Sequence, residues 1–67
     1  MPTKPTLTIA KRLFRRRNPG VKGLRAEWFV KPYQHNGAWY GVVRFNAPGY
    51  ARMRQTICAD SGETAIY

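Results

Sequence analysis

The chain has 67 residues, 12 of them Lys or Arg and 3 of them Asp or Glu, so its formal net charge is +9. A chain this short predicts one small basic domain over 1–67, and the charge favours a polyanionic partner, namely nucleic acid, an anionic membrane surface or an acidic protein. Cys58 is the only cysteine, which excludes an intramolecular disulfide and fits a reducing, cytoplasmic location, and no apolar run is long enough to span a membrane.

The N-terminal third predicts a flexible end followed by an amphipathic element. Residues 1–5 contain two prolines, which donate no backbone hydrogen bond, and we expect this segment to be flexible. Over 6–17 the apolar residues fall on one helical face, and Thr6 or Thr8 would cap the helix. The same segment begins with the alternation of a short strand, so both interpretations stay open here. Residues 18–20 predict a turn.

Asn36-Gly37 predicts a two-residue hairpin turn, because a type I′ turn needs positive φ at both positions. The flanking segments alternate with period two and predict strands near 24–33 and 38–46. Pro32 lacks an N–H, so the first strand should lie at a sheet edge and the second should be central. The pairs obtained by counting outwards from the turn are His35–Ala38, Tyr33–Tyr40, Lys31–Val42, Val30–Val43, Phe29–Arg44 and Trp28–Phe45.

A third strand is predicted near 50–58, after a three-residue connection at 47–49. This register places Arg44 opposite Arg52 and Val43 opposite Met53. Residues 60–63 predict a turn, after which 64–67 either add a short strand or pack Ile66 and Tyr67 under the sheet.

The predicted fold class is therefore α+β and dominated by β-structure. It is a small antiparallel sheet of at least three strands with an N-terminal amphipathic element. The alternative is a small β-barrel of the SH3 or OB type, in which 6–10 and 64–67 supply extra strands.

Alternation sorts the predicted sheet into two faces of different chemistry. One face is apolar and needs a cover, which the N-terminal element, the C-terminal residues or a second copy in a homodimer could supply. Its members are Trp28, Val30, Trp39, Val43, Phe45, Ala51, Met53 and Ile57. The other face mixes aromatic rings with basic groups, namely Phe29, Lys31, Tyr33, Tyr40, Arg44, Tyr50, Arg52 and Arg54. Rings stack on bases while Arg and Lys contact phosphates, so this face predicts a nucleic-acid site.

The run Arg15-Arg16-Arg17 is a second candidate site. It leads into the turn at 18–20, which would place it at the exposed end of an element, where it suits phosphate contact. Like the sheet face, it could also be a solvated basic surface without a ligand.

Catalysis is not expected. His35 is the only histidine, and neither paired carboxylates nor a glycine-rich phosphate loop is present. We expect no cofactor and no metal. The predicted function is non-catalytic nucleic-acid binding, and the size and composition suit an accessory protein of a phage or plasmid. The alternative is a small modulator or inhibitor that docks on an acidic or nucleic-acid-binding protein. An arrangement of rings and arginines on a sheet can also enter a major groove, so single and double strands both remain open.

One family resemblance covers about half of the chain. Asn36-Gly-Ala-Trp-Tyr40, the basic strand with Arg52 and Arg54, and Ser61-Gly-Glu-Thr-Ala65 loosely resemble the arm-type DNA-binding domains of tyrosine recombinases. The resemblance implies a three-stranded DNA-binding sheet. In that family a helix follows the sheet, and we expect no such helix here because the sequence ends at Tyr67.

Overall fold

One helix and four strands make up the computed structural model, which describes residues 3–60 and 62–67. In chain order the elements are α1 (Leu7–Arg17), β1 (Arg25–His35), β2 (Ala38–Asn46), β3 (Met53–Asp60) and β4 (Glu63–Ile66). The strands form one antiparallel sheet in the order β1-β2-β3-β4, which is not closed into a barrel. The predicted α+β fold is confirmed, with β1 at an edge and β2 central, and the barrel alternative is wrong.

The segment 6–17 forms a helix because both of its ends are capped. The Thr6 hydroxyl accepts a hydrogen bond from the Ile9 N–H at 3.3 Å, so Thr6 is the N-cap. At the other end the backbone N–H and the side-chain amide of Asn18 both donate to the carbonyl of Phe14. Three arginines, Arg15 to Arg17, occupy the last turn, where positive charge interacts favourably with the helix dipole.

The hairpin between β1 and β2 turns where the sequence predicts. Asn36 and Gly37 have φ of 52° and 80°, as a type I′ turn requires. The pairs His35–Ala38 and Tyr33–Tyr40 are confirmed. The turn therefore fixes the register of the sheet near the hairpin tip.

Beyond Tyr33 the predicted register is wrong, because β1 contains two β-bulges. Val30 pairs with Val42 instead of Val43, and Trp28 pairs with Val43 instead of Phe45. Each bulge adds one residue to β1. After the first bulge Val30 lies on the face opposite the one predicted and is 38% exposed. After the second bulge Trp28 returns to the apolar face, where it packs against the core.

The bulges occur where β1 passes Gly41 of β2. A Cβ built on Gly41 would lie 3.0 Å from the Trp28 ring, 3.2 Å from the Val30 carbonyl oxygen and 3.5 Å from the Pro32 Cα. Glycine leaves room for the irregular strand and for the indole ring, and Pro32 has no N–H to give to a regular ladder. The irregular pairing of β1 with β2 therefore follows from Gly41 and Pro32.

The connection between β2 and β3 runs over 47–52 and is longer than predicted. The Tyr50 N–H donates to the Ala47 carbonyl at 3.0 Å, with Pro48 and Gly49 (φ 82°) between them, which are the residues favoured in a type II turn. The register shifts by two residues, so that Met53 pairs with Phe45 instead of Val43. A shift by two keeps the faces of β3, whereas Tyr50, Ala51 and Arg52, predicted to lie on this strand, lie in the connection.

The core lies between α1 and the apolar face of the sheet. The rings of Phe14 and Phe45 stack with centroids 4.5 Å apart. Trp28 and Phe45 lie on the same side, as the predicted fold requires. The helix therefore supplies the cover that the apolar face needs, and the members of the core cluster are Ala10, Phe14, Leu24, Val43, Phe45, Ala47, Ile57 and Ile66.

The C-terminal residues complete the sheet. Ile66 pairs with Ile57 and is buried, so the alternative with a short final strand is the correct one. This strand stands where the recombinase domains have a helix, and the helix of this chain precedes its sheet. The predicted turn at 60–63 includes Ser61, which lies outside the described residues. In the N-terminal segment predicted to be flexible, residues 1–2 also lie outside them, while Pro5 is buried.

Candidate nucleic-acid interface

The sheet face opposite the helix has no element packed on it among the described residues, and we call it the open face. It combines ring, aliphatic and basic side chains that the pairing of β1, β2 and β3 brings together. Its members are Phe29, Val30, Tyr33, Tyr40, Val42, Arg44, Arg54, Thr56 and Cys58. Phe29 is 48% exposed and Tyr33 is 51% exposed, so both rings are accessible to a ligand.

The Phe29 ring lies next to two guanidinium groups at the centre of the open face. The guanidinium carbon of Arg54 lies 4.6 Å from the centroid of the Phe29 ring, and that of Arg44 lies 5.8 Å from it. Arg44 pairs with Arg54 across the sheet, which corrects the predicted pairing with Arg52. Like charges in register repel each other, and the electron-rich ring offsets part of this repulsion.

A second group of rings lies near the hairpin tip. The centroids of Tyr33 and Tyr40 are 5.9 Å apart, and the His35 ring meets Tyr40 edge-on at 6.3 Å. The type I′ turn fixes the pairing of Tyr33 with Tyr40, and it also fixes the position of His35, which pairs with Ala38. The open face thus carries one aromatic group at the tip and another between two arginines.

Tyr40 is uncharged at neutral pH. Its pKa is raised above the usual value of 10.0, chiefly because negative charge on the Cys58 sulfur would repel a phenolate, and also because of desolvation and the Asp60 carboxylate. Cys58 is the register partner of Tyr40 on β3. The phenol consequently adds no negative charge to the open face and keeps its O–H as a donor.

A cleft opens at the end of the open face away from the hairpin tip. Its volume is about 360 Å³, and we call it the arginine cleft. Arg25 and Arg44 reach it from β1 and β2, and Arg52 reaches it from the connection at 47–52. The remaining lining residues are Ala26, Glu27 and Asn46.

The cleft contains one ion pair. An oxygen of Glu27 lies 2.7 Å from a terminal guanidinium nitrogen of Arg44, and the two residues are register partners. The Nε of Arg44 is sheltered from solvent and donates to no acceptor among the described residues. Arg44 therefore links the cleft to Phe29 and retains an unused donor.

The other predicted site residues lie outside this centre. Lys31 is exposed within the register shift between Val30 and Tyr33, and Tyr50 is 43% exposed in the connection at 47–52. The run Arg15–Arg17 is exposed at the end of the helix, which packs on the opposite side of the sheet. The structure therefore brings together the residues of the sheet and separates the arginine run from them.

Sequence reasoning missed Arg25, Glu27 and Asn46. The bulges bring Glu27 opposite Arg44, where simple counting places Phe29. The sequence indicates only that Arg25 and Glu27 lie near the start of a predicted strand. The bulges, which no alternation pattern reveals, decide what these two residues face.

In the part of the chain that the structure describes, the acidic and nucleophilic side chains form no metal-binding cluster. Over residues 3–60 and 62–67 no group of three His, Cys, Asp or Glu is close enough to hold a metal ion. Asp60 and Glu63 are register partners at the end of β3 and β4, and both are exposed. In the same described part of the chain, no helix has the length and apolar character needed to cross a membrane.

Comparison with known proteins assigns no family to this chain. It matches none of the protein-family models, curated proteins or solved structures with which it was compared. The function is therefore inferred from the site itself.

Proposed function

We propose that the protein binds nucleic acid without catalysis and that the open face is its binding surface. The observation that supports this proposal most is the difference between the two faces of the sheet. The helix covers one face of the sheet with a packed core, whereas the other face exposes Phe29 beside Arg44 and Arg54 and exposes Tyr33 near the hairpin tip. A ring beside a cation suits a ligand that alternates planar bases with phosphates.

Exposed rings favour unpaired bases over a duplex. In a double helix the faces of the bases are already stacked on each other, so a ring reaches them only after unstacking, which costs a few kcal/mol. Phe29 and Tyr33 are each about half exposed. Each base stacked on such a ring contributes about 1–3 kcal/mol. We therefore expect single strands to bind more tightly than duplexes of the same sequence.

The arginine run at the end of the helix contributes in a different way. Arg15–Arg17 lie on the helix side, so one short strand on the open face does not contact them directly. Their charge is part of the net charge of +9, which attracts a polyanion over a distance of about one Debye length. A longer strand that passes around the sheet edge would contact them.

The experiment is a titration with labelled single- and double-stranded DNA and RNA at about 50 mM and about 200 mM salt. Each phosphate contact on a single strand contributes a log–log slope of about −0.7. Three contacts, from Arg25, Arg52 and Arg54 besides the paired Arg44, give a slope of about −2.1. The fourfold rise in salt should then weaken binding by about 20-fold. A protein that binds no nucleic acid even at the lower salt concentration contradicts the proposal.

One observation favours a second candidate, a protein partner with an acidic surface. Val30 and Phe29 are both exposed and adjacent, so the basic face also offers apolar area that a protein partner would cover on binding. In this role the protein would modulate or inhibit an acidic or nucleic-acid-binding protein. Failure of every nucleic acid in the titration would favour this candidate.

A further inference from the structure

The arginine cleft is larger and more positive than a contact with one backbone phosphate requires. Its volume of about 360 Å³ is at the lower end of the range for small-ligand sites and exceeds the space that a bare anion fills. Three guanidinium groups line it, and one carboxylate is present. The formal charge of its lining is therefore three minus one, or +2.

The excess of guanidinium groups over carboxylates makes the cleft selective for the charge of its ligand. An incoming anion must compete with a carboxylate 2.7 Å from Arg44. A phosphodiester carries one negative charge, whereas a phosphomonoester carries about −1.5 to −2 at neutral pH and offers three strong acceptor oxygens. The more highly charged group competes better with Glu27 and also matches the excess charge supplied by Arg25 and Arg52.

The cleft is continuous with the open face through Arg44. This side chain lines the cleft and also lies 5.8 Å from the centroid of the Phe29 ring. A strand held by a phosphate in the cleft thus has its nearest base beside Phe29. The cleft lies at one end of the hairpin and the rings of Tyr33 and Tyr40 lie near the other, so the bound strand would run from the cleft towards the hairpin tip.

We propose that the arginine cleft binds the terminal phosphomonoester of a nucleic-acid strand, so that the protein recognises phosphorylated strand ends. This inference rests on the proposed function for the identity of the ligand, but the binding of a phosphomonoester is testable without nucleic acid. Guanidinium groups suit this role because their planar fork donates two parallel hydrogen bonds to phosphate oxygens. Glu27 competes with any anion for Arg44, so the additional charge of Arg25 and Arg52 decides which phosphate binds.

The first experiment compares the binding of methyl phosphate with that of dimethyl phosphate. Binding is detected in NMR titrations as shifts of the backbone amide signals of the protein. Methyl phosphate should shift the signals of Arg25 and Asn46 in a saturable way and should bind at least about fivefold more tightly than dimethyl phosphate. Arg52→Gln should weaken methyl phosphate binding by about fivefold or more. The matched control is Arg12→Gln, which removes the same charge from the exposed helix surface and should leave the affinity unchanged.

Glu27→Gln tests the competition. Without the carboxylate both phosphates should bind more tightly, and methyl phosphate, which carries more negative charge, should gain at least as much as dimethyl phosphate. A Glu27→Gln variant that binds neither phosphate more tightly would contradict the competition. Thermal melts of each variant check that the fold persists. Equal affinity of the wild type for the two phosphates, or equal losses in Arg52→Gln and Arg12→Gln, would overturn the phosphomonoester site.

The second experiment compares oligonucleotides of one sequence with a 5′-phosphate, a 3′-phosphate or neither. One of the phosphorylated strands should bind at least about fivefold more tightly than the unmodified strand, and Arg52→Gln should abolish this difference. Equal binding of all three strands overturns end recognition and leaves the proposed function standing. If no strand binds, the proposed function fails and end recognition fails with it, while the methyl phosphate titration still decides whether the cleft is a phosphate site.

Discussion

Replacing Phe29 with leucine should destabilise the protein although the ring is half exposed. The ring lies 4.6 Å from the guanidinium of Arg54 and 5.8 Å from that of Arg44. At exposed sites each such contact contributes about 0.5–1 kcal/mol. Leucine retains an apolar side chain but has no π-system, so the two arginines lose this stabilisation while they still face each other across the sheet.

The expected loss in the free energy of unfolding is therefore about 1–2 kcal/mol. The total for a chain of this length is roughly 3–10 kcal/mol. In a domain of this size each kcal/mol lowers the melting temperature by about 4–8 °C. Thermal unfolding followed by circular dichroism should thus show a clear decrease for Phe29→Leu. The control is Tyr50→Leu, since Tyr50 is similarly exposed but no cation contacts its ring among the described residues.

A double-mutant cycle assigns the effect to the cation–π contact. Arg54→Met removes the charge and keeps an unbranched side chain. The coupling free energy between Phe29→Leu and Arg54→Met should be about 0.5–1 kcal/mol. A coupling of zero, together with equal melting temperatures for Phe29→Leu and Tyr50→Leu, would refute the claim that the ring stabilises the two arginines.

Three other predictions test the helix cap, the bulged hairpin and the roles of the two basic regions. Thr6→Ala should cost about 1 kcal/mol in denaturant unfolding because the helix loses its N-cap, whereas Thr8→Ala, at an exposed position inside the helix, should not destabilise the protein. Gly41→Ala should cost about 1–3 kcal/mol, since its Cβ would meet the Trp28 ring at 3.0 Å; a melting temperature equal to that of the wild type would contradict this packing. Tyr40→Ala should weaken single-strand binding by about 1–3 kcal/mol with an unchanged salt slope; a stacking role for Tyr40 is contradicted if its variant changes only the slope. Arg16→Ala, on the helix side, should leave the slope unchanged for a short strand and should reduce it by about 0.7 for a strand long enough to pass around the sheet edge.

The sequence predicts the fold where local chemistry dominates. Asn36-Gly37 fixes the turn and the two nearest pairs, and Pro32 places β1 at the edge. The amphipathic pattern of 6–17 predicts the face on which a helix would pack but leaves a strand open, and the helix is stabilised by the burial of Ala10 and Phe14 together with the Thr6 cap. These features depend on the backbone preferences of a few adjacent residues.

The register further from the turn depends on contacts between distant residues. Counting by two assumes a regular ladder, whereas the close approach of β1 to Gly41 adds two residues to that strand. Because two residues restore the original parity, Trp28 still lies on the predicted face, but its partner changes. Regular counting pairs Phe29 with Arg44, and both residues do belong to the site. The two extra residues bring Glu27 opposite Arg44 instead, and this pairing could not be predicted from the alternation pattern.

The most direct test of the open face as the binding surface is a comparison of two variants with the same charge. Arg54→Gln removes one positive charge from the open face, and Arg12→Gln removes one from the exposed surface of the helix on the other side of the sheet. Affinity for a single strand is measured at about 50 mM and about 200 mM salt, as for the wild type. We expect Arg54→Gln to weaken binding by about fivefold or more and to reduce the salt slope, while Arg12→Gln stays within about twofold of the wild type. Equal losses in the two variants would show that net charge alone attracts the nucleic acid and would contradict a binding site on the open face.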